Sequence, residues 1–467
     1  MSHRDDEHLA AIHGRSFHVS SLNRWLKNDT LLFWFYIAFV TGCVVPSFQP
    51  LTNPLFLLIV PLVFLHVAHL DILRSPPELR VSATLSFWRI QKITRVGSVI
   101  LCAAGLYLLM VTLSSLLQPT IGPTNVIPLL VISLEIIGFL VVTALLVSSS
   151  KDRCNLCLAV LAVIAGANAL GLIIRDLATI PFDQFFFPDY YLAYAPMPPG
   201  QTSLRIICSI FLVASIAILR EGVKSLWCRV PLIASALILT CAVLLTQGRG
   251  IILAVAVGVA TTFNWSIRSI LLPVGALALI LTLVFTIPTT RDRILERGDS
   301  RRPEIWSHYI DYSSKRPWLG YGMIDGLDPG IAFRSKDGTY IAHAHNLILS
   351  AQVRGGVLAT GSMIVMLLGG LYYSRRYAQL TGKRAPLAII ATLFVSGIFE
   401  YDTFIRSFPN WQTVSFWLPI GICSGTEIYV RSRHGNNFEK RRGADRRPLP
   451  DWVTTPSSQS HAAPKFE

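Results

Sequence analysis

The chain has 467 residues, of which 52% are hydrophobic and only 15% charged, and its mean hydropathy is +0.51. A soluble protein carries roughly a quarter charged residues, so a water-soluble globule is excluded. Several apolar runs of about 16–22 residues, the length that crosses a bilayer as a helix, indicate a polytopic, all-α membrane protein. The formal net charge of +14 comes without any basic-aromatic module for nucleic acid, and its Lys and Arg collect in short connections, where they mark the cytoplasmic side.

Residues 1–30 mix Arg, Asp, Glu and His and lack the basic start, apolar centre and small-residue cleavage site of a signal peptide. They read as a cytoplasmic extension. Apolar spans then predict about twelve transmembrane helices. Nine fall within 31–288, at 31–46, 53–70, 97–117, 126–147, 155–174, 204–219, 230–246, 250–264 and 269–288. Three more, within 346–430, follow at 346–373, 385–400 and 411–430. An even count places both ends on one side. With that side cytoplasmic, the inside connections are basic: 71–96 carries Arg74, Arg80, Arg89, Lys92 and Arg95, and 374–384 carries Arg375, Arg376, Lys383 and Arg384. The outside connection 118–125 is uncharged, and 175–203 is aromatic and proline-rich. The tail 431–467, with Lys440-Arg441-Arg442 and Arg446-Arg447, reads as a cytoplasmic disordered segment able to touch anionic lipid.

The Cys154-Asn155-Leu156-Cys157 pair has no second ligand pair nearby, so these cysteines read as small hydrophobes. Glu135 lies mid-span in the fourth helix, where a carboxylate is either functional or hydrogen-bonded between helices.

The large outside loop between the ninth and tenth helices, 289–345, keeps nine Lys/Arg on the side where they are not expected, beside eight acidic residues. That excess suggests an anionic ligand. Arg301 and Arg302 precede Pro303-Glu304-Ile305-Trp306, and Pro303 suits the first turn of a helix over Arg302–Ser314. Cations are not favoured at a helix N-terminus, so the arginines are either a solvated cluster or an anion site. Arg249, between glycines in Thr246–Gly250, is either a snorkelling arginine at a turn or a guanidinium aimed at phosphate. Arg316–Gly322 forms a glycine turn. His343 and His345 precede the tenth helix without a third and fourth metal ligand. Each is an interfacial hydrogen-bonding residue or, as neutral imidazole, a general base. Asn346 is placed to cap that helix.

Taken in order, Thr246–Gly250, Arg302–Trp306, Pro317–Gly322 and His345-Asn346 resemble the O-antigen ligase / polysaccharide polymerase superfamily. The resemblance is specific over 246–359. The ligase-type motif runs from His-Asn to a glycine and then to Gly, Thr or Tyr; here Gly356 fits and Ala359 departs. The resemblance implies a GT-C-like, metal- and cofactor-independent glycosyltransferase in the bacterial inner membrane, working on the periplasmic face. Its donor would be a glycan on undecaprenyl pyrophosphate, its acceptor lipid A-core for a ligase or another lipid-linked glycan for a polymerase. Arg302 and Arg249 would stabilise the pyrophosphate leaving group and His345 would take the acceptor proton, with Arg301, Trp306, Tyr321, His343 and Asn346 around the substrate. A transporter of lipid-linked glycan, the reading from another class, would need internal symmetry and mid-membrane ionisable residues, of which Glu135 alone qualifies.

Overall fold

A computed structural model describes residues 29–44, 98–117, 123–149, 151–179, 199–223, 225–246, 248–263, 302–323, 333–334, 340–341, 344–400, 405 and 411–445. The helices expected at 53–70 and 269–288 lie outside these residues, as do Arg301 and His343. The described helices are α1 (Asp29–Val44), α2 (Val99–Leu116), α3 (Pro123–Ser149), α4 (Lys151–Thr179), α5 (Pro199–Arg220), α6 (Leu226–Leu245), α7 (Arg249–Thr261), α8 (Arg302–Ser314), α9 (Leu347–Thr381), α10 (Ala385–Phe399) and α11 (Trp411–Asp445). Between α8 and α9, two short strands, β1 (Phe333–Arg334) and β2 (Tyr340–Ile341), pair antiparallel with Phe333 opposite Ile341. Strands of two residues carry no periodicity, which is why the sequence shows a loop there. Five described helices are long and apolar enough to cross a membrane, and three more are apolar but shorter. The chain is a helical, multi-pass membrane protein.

Helix boundaries depart from the expected ones where apolarity stops being informative. α4 starts four residues early and runs on to Thr179, through Arg175 and Asp176, whose side chains pair. α11 continues to Asp445, so the first part of the expected disordered tail is helical. α9 runs to Thr381, through Arg375 and Arg376, and stops at Gly382 in a left-handed cap.

Without a water-driven core, the bundle is held by close approach and by polar ties. α2 packs along α9, α3 along α11, and α7 along α10. On α11, Gly421 and Gly425 lie four apart, and a Cβ on them would meet Thr143 and Val147 of α3 at 2.8 Å. These two glycines therefore set the α3–α11 separation. Tyr36 of α1 shares a 2.8 Å hydrogen bond with Thr143 in the same layer.

At one end of the bundle, buried carboxylates cap helix N-termini, whose first N–H groups have no partner within the helix. Glu427 of α11 accepts from Val99 N (2.9 Å), Ile100 N (3.1 Å) and Ser98 Oγ (2.6 Å), while Ser98 Oγ accepts from Leu101 N. Arg431 balances its charge at 2.8 Å. Glu221 does the same for α10, accepting from Arg384 N and Ala385 N with Lys383 at 3.7 Å. The helix dipole favours negative charge at both places. These ties fix the end of the bundle opposite to the candidate site.

Candidate functional site

The site is built at the end where α7, α8 and α9 begin and α10 finishes. α8 forms over Arg302–Ser314, as its Pro303 and the spacing of Ile305 and Tyr309 predict. Ile305 and Tyr309 are buried with Tyr321, Ile341, Ala344 and Val353, and Trp306 packs against the same cluster. That cluster docks α8 on the first part of α9.

The glycine turn explains how. α9 is broken at Gly356, whose φ of +67° and ψ of −163° are not helical. A break of this kind exposes backbone groups that must be paired within a bundle. Here the turn pairs them: Tyr321 N donates to Val353 O at 2.7 Å, Gly322 N to Arg354 O at 2.8 Å, and Val357 N to Pro317 O at 2.8 Å. The approach is too close for side chains, since a Cβ on Gly356 would sit 2.1 Å from Trp318 O and one on Gly320 would sit 2.6 Å from Val353 O. Ser115, near the end of α2, accepts from Met323 N at 2.7 Å, which ties the turn to a third element. The sequence predicts the turn but an unbroken tenth helix; the break is the difference. The Tyr321 ring stacks on Tyr312 at 4.2 Å, with the Arg316 guanidinium 5.0 Å from its centre, and so it shapes the turn. Ala359, at the departing motif position, is fully buried and lies beneath Gly355.

At the head of α9, Asn346 is the N-cap, its Oδ1 accepting from Ile348 N (2.9 Å) and Leu349 N (3.1 Å). His345 just before it has φ +49°, the one described non-glycine residue with positive φ. Such a conformation costs on the order of 1–3 kcal/mol and persists only where the surrounding structure holds it. The imidazole is half-buried between buried Ala344 and Asn346.

Arg302 is the first residue of α8 and reaches α10. Its guanidinium donates to Phe399 O and to Glu400 Oε1 (3.3 Å) and lies 5.2 Å from the centre of the Phe399 ring. Glu400 is 5% exposed. Its other oxygen meets Arg205 of α5 at 3.5 Å. Arg249 is the first residue of α7, exposed, between buried Gly248 and Gly250. A Cβ on Gly250 would stand 2.6 Å from Phe399 Cβ and 3.4 Å from Glu400 Oε1, and one on Gly248 would stand 3.1 Å from Arg205 Cδ. The glycines on either side of Arg249 therefore bring the α7 N-terminus onto the Arg302–Glu400–Arg205 group. α9 joins from the other side, since Leu347, two residues after His345, touches Gly397, one turn before Glu400.

Arg302, Arg249, His345, Asn346, Trp306 and Tyr321 thus belong to elements that meet at one end. Trp306 is half-buried, and its Nε1 makes no hydrogen bond among the described residues. Glu135 is half-buried on α3, makes no hydrogen bond or ion pair among the described residues, and belongs to none of these contacts. Sequence reasoning missed Arg205, Glu400 and the buried Arg354. The available signal was position: each is an ionisable residue within an otherwise apolar helix or at its end.

The O-antigen ligase family model matches residues 234–364. That region contains Arg249, α8, the glycine turn, His345 and the break in α9, while Arg205 and Glu400 lie outside it. An O-antigen ligase of Pseudomonas aeruginosa is 27% identical over 159 residues, covering 32% of this chain and 35% of the relative. The matching stretch thus spans about a third of the length of that curated relative. The central region of the chain, residues 234–364, is thus similar to the O-antigen ligase family.

Proposed function

We propose that this protein transfers a glycan from undecaprenyl pyrophosphate to an acceptor hydroxyl on the periplasmic face of the bacterial inner membrane, as a ligase whose acceptor is lipid A-core. The observation that carries the reading is the meeting of two arginine-headed helix N-termini, those of α7 and α8, beside the His345 end of α9. Helix N-termini and guanidinium groups both favour phosphate oxygens. The leaving group is a pyrophosphate, stable as an anion, so the reaction needs positive charge there more than it needs a protonating acid. Arg302 and Arg249 provide that charge as the bond from the sugar anomeric carbon to the phosphate oxygen breaks. His345 takes the proton from the attacking hydroxyl. Arg301, His343, Trp306, Tyr321 and Asn346 surround or support the substrate, Asn346 by fixing the head of α9. No step in this scheme calls for a metal ion or cofactor.

In this reading about twelve spans, in a GT-C-like arrangement, put both termini in the cytoplasm and 289–345 in the periplasm. The basic connections at 71–96 and 374–384 support that orientation. The second reading, a repeat-unit polymerase for O-antigen or exopolysaccharide, is kept by Ala359, which stands where ligases carry Gly, Thr or Tyr. A deletion strain separates them. Long glycans stranded on the carrier with bare lipid A-core support the ligase, whereas single repeat units with no polymer support the polymerase. An unchanged carrier pool and unchanged lipopolysaccharide sink both.

A further inference from the structure

The Arg316–Gly322 turn has two sides. On one, Tyr321 is buried with Ile305 and Tyr309. On the other, Trp318 is 72% exposed, and Leu319 beside it is exposed as well. The surface around this tip is also apolar. Leu319 O accepts from Ser114 Oγ near the end of α2, and Pro317 O accepts from Val357 N just beyond the break in α9. Both helices are long and apolar enough to cross a membrane. Each carries an outward apolar stripe that runs up to its contact with the turn: Leu109, Leu113 and Leu116 on α2, and Leu358, Val365 and Leu368 on α9. On spanning helices such stripes face lipid, and the tip continues them. Its depth is that of the membrane boundary. α2 ends at Leu116. Between the break and Arg375, α9 has close to the ~20 residues that a bilayer crossing takes, so Arg375 and Arg376 stand at one boundary and Gly356 at the other. The backbone suits that place. An ordinary loop cannot enter lipid, because its unpaired N–H and C=O groups would lose water. Here Gly320 N donates to Arg316 O at 3.0 Å, Tyr321 and Gly322 donate to α9, and Pro317 has no N–H to lose. Pro317 O accepts a second bond, from Gln352 Nε2 at 3.0 Å.

We propose that the Pro317–Leu319 tip is a membrane anchor: Trp318 and Leu319 enter the boundary layer of the leaflet on the candidate-site side, and their partner is bilayer lipid. Tryptophan is favoured in that layer, where its ring lies against acyl chains and its indole N–H meets the headgroups. The anchor acts on the site through the backbone. The same turn holds the broken part of α9 through Tyr321 and Gly322, and the Ile305–Tyr309–Tyr321 cluster holds α8. Seating the tip in lipid therefore sets the height of Arg302 and His345 over the membrane, where the head of a lipid-linked substrate lies. The anchor stands without the glycan-transfer reading; that reading adds only that the head is a diphosphate and the leaflet periplasmic.

The test is the depth of a fluorophore on the full-length protein in nanodiscs of phosphatidylethanolamine and phosphatidylglycerol. Leu319→Cys is labelled with a nitrobenzoxadiazole dye after the exposed native thiols are removed by Cys102→Ala, Cys228→Ala and Cys241→Ala. Lipid carrying a nitroxide near its headgroup is expected to quench this label at least twofold, and aqueous iodide to leave it unquenched. Ser307→Cys, exposed on α8, serves as the aqueous reference. Trp318→Ala is expected to cut the lipid quenching at Leu319→Cys at least twofold. Trp318→Tyr is expected to keep it, since tyrosine also favours the boundary layer. Neither variant should change the unfolding temperature in detergent, which the loss of a packed tryptophan would lower. Iodide quenching without lipid quenching would put the tip in water. Protection from both would put it under protein, a second copy of this chain included. Lipid quenching that disappears on adding undecaprenyl phosphate would make the tip a seat for a polyprenyl chain. Each of these overturns the anchor, as does unchanged lipid quenching or a lowered unfolding temperature in Trp318→Ala. If Leu319→Cys does not reach the membrane, Trp318→Cys carries the label and must give the same pattern. A native protein whose tip is quenched by lipid but which transfers no glycan keeps the anchor and sinks the glycan-transfer reading.

Discussion

At the residue scale, each proposed role carries its own measurable outcome. His345 is held at φ +49° beside the helix cap supplied by Asn346. Backbone strain of this kind recurs at functional sites, which supports the proposed base role. His345→Ala should therefore lower kcat by about 10²–10⁴-fold, the usual contribution of a general base, while leaving the amount of membrane-inserted protein unchanged. His343→Ala is the paired control, and equal turnover by the native protein and His345→Ala would remove the base assignment. Arg249 is testable in the same way. Its exposed side chain stands at the head of α7, between two glycines packed against Arg205 and Phe399. Arg249→Lys keeps the charge but loses the planar fork. Turnover at least tenfold down is expected if phosphate is held bidentately, and native turnover in this variant would show that charge alone suffices.

At the scale of elements, the sequence revealed α8 fully and α9 only in part. α8 was legible because Pro303, Ile305 and Tyr309 encode a helix start and a helix period. The break in α9 was not, because the apolar runs on either side of Gly355-Gly356 read as one continuous helix. What breaks it is a partner some thirty residues earlier in the chain, the Pro317–Gly322 turn, and no local pattern reports a contact over that distance. Arg205 and Glu400 escaped for the same reason. Each is a solitary charge in its own segment, and only the packing of α5 against α10 makes them a pair. The turn and the break form one unit, which leads to a sharp expectation. Gly356→Ala places a methyl within 2.1 Å of Trp318 O at a positive φ. The clash and the strained backbone, the latter worth about 1–3 kcal/mol, should lower the unfolding temperature of the purified protein and release the turn. Protease cleavage within Lys315–Met323 should then accelerate. Gly361→Ala, in open space on the same helix, should do neither. Unchanged cleavage and stability in Gly356→Ala would mean that the turn is held by something other than the broken helix.

Among the described residues, the buried ion pairs gather at two ends of the molecule. One end has buried carboxylates saturated by helix N-termini, with basic residues around them: Arg431 at Glu427 and Lys383 at Glu221. The other has arginines gathered around Glu400, together with the loop that leads to His345. In the proposed orientation the first end is cytoplasmic. Under that proposal, a lipid-linked donor presented on the outer leaflet would meet the arginines and not the capped carboxylates. Exposed residues at the two ends make the orientation measurable: Ser314 closes α8, and Gln379 lies in the last turn of α9. In cells with a permeabilised outer membrane, Ser314→Cys should react with a membrane-impermeant maleimide above the background of the native cysteines. Gln379→Cys should stay unlabelled until the inner membrane is broken. The reverse pattern would put the arginines in the cytoplasm, facing away from a donor on the outer leaflet, and a periplasmic glycan transfer at this site could not then be maintained, whatever Arg249→Lys did to turnover.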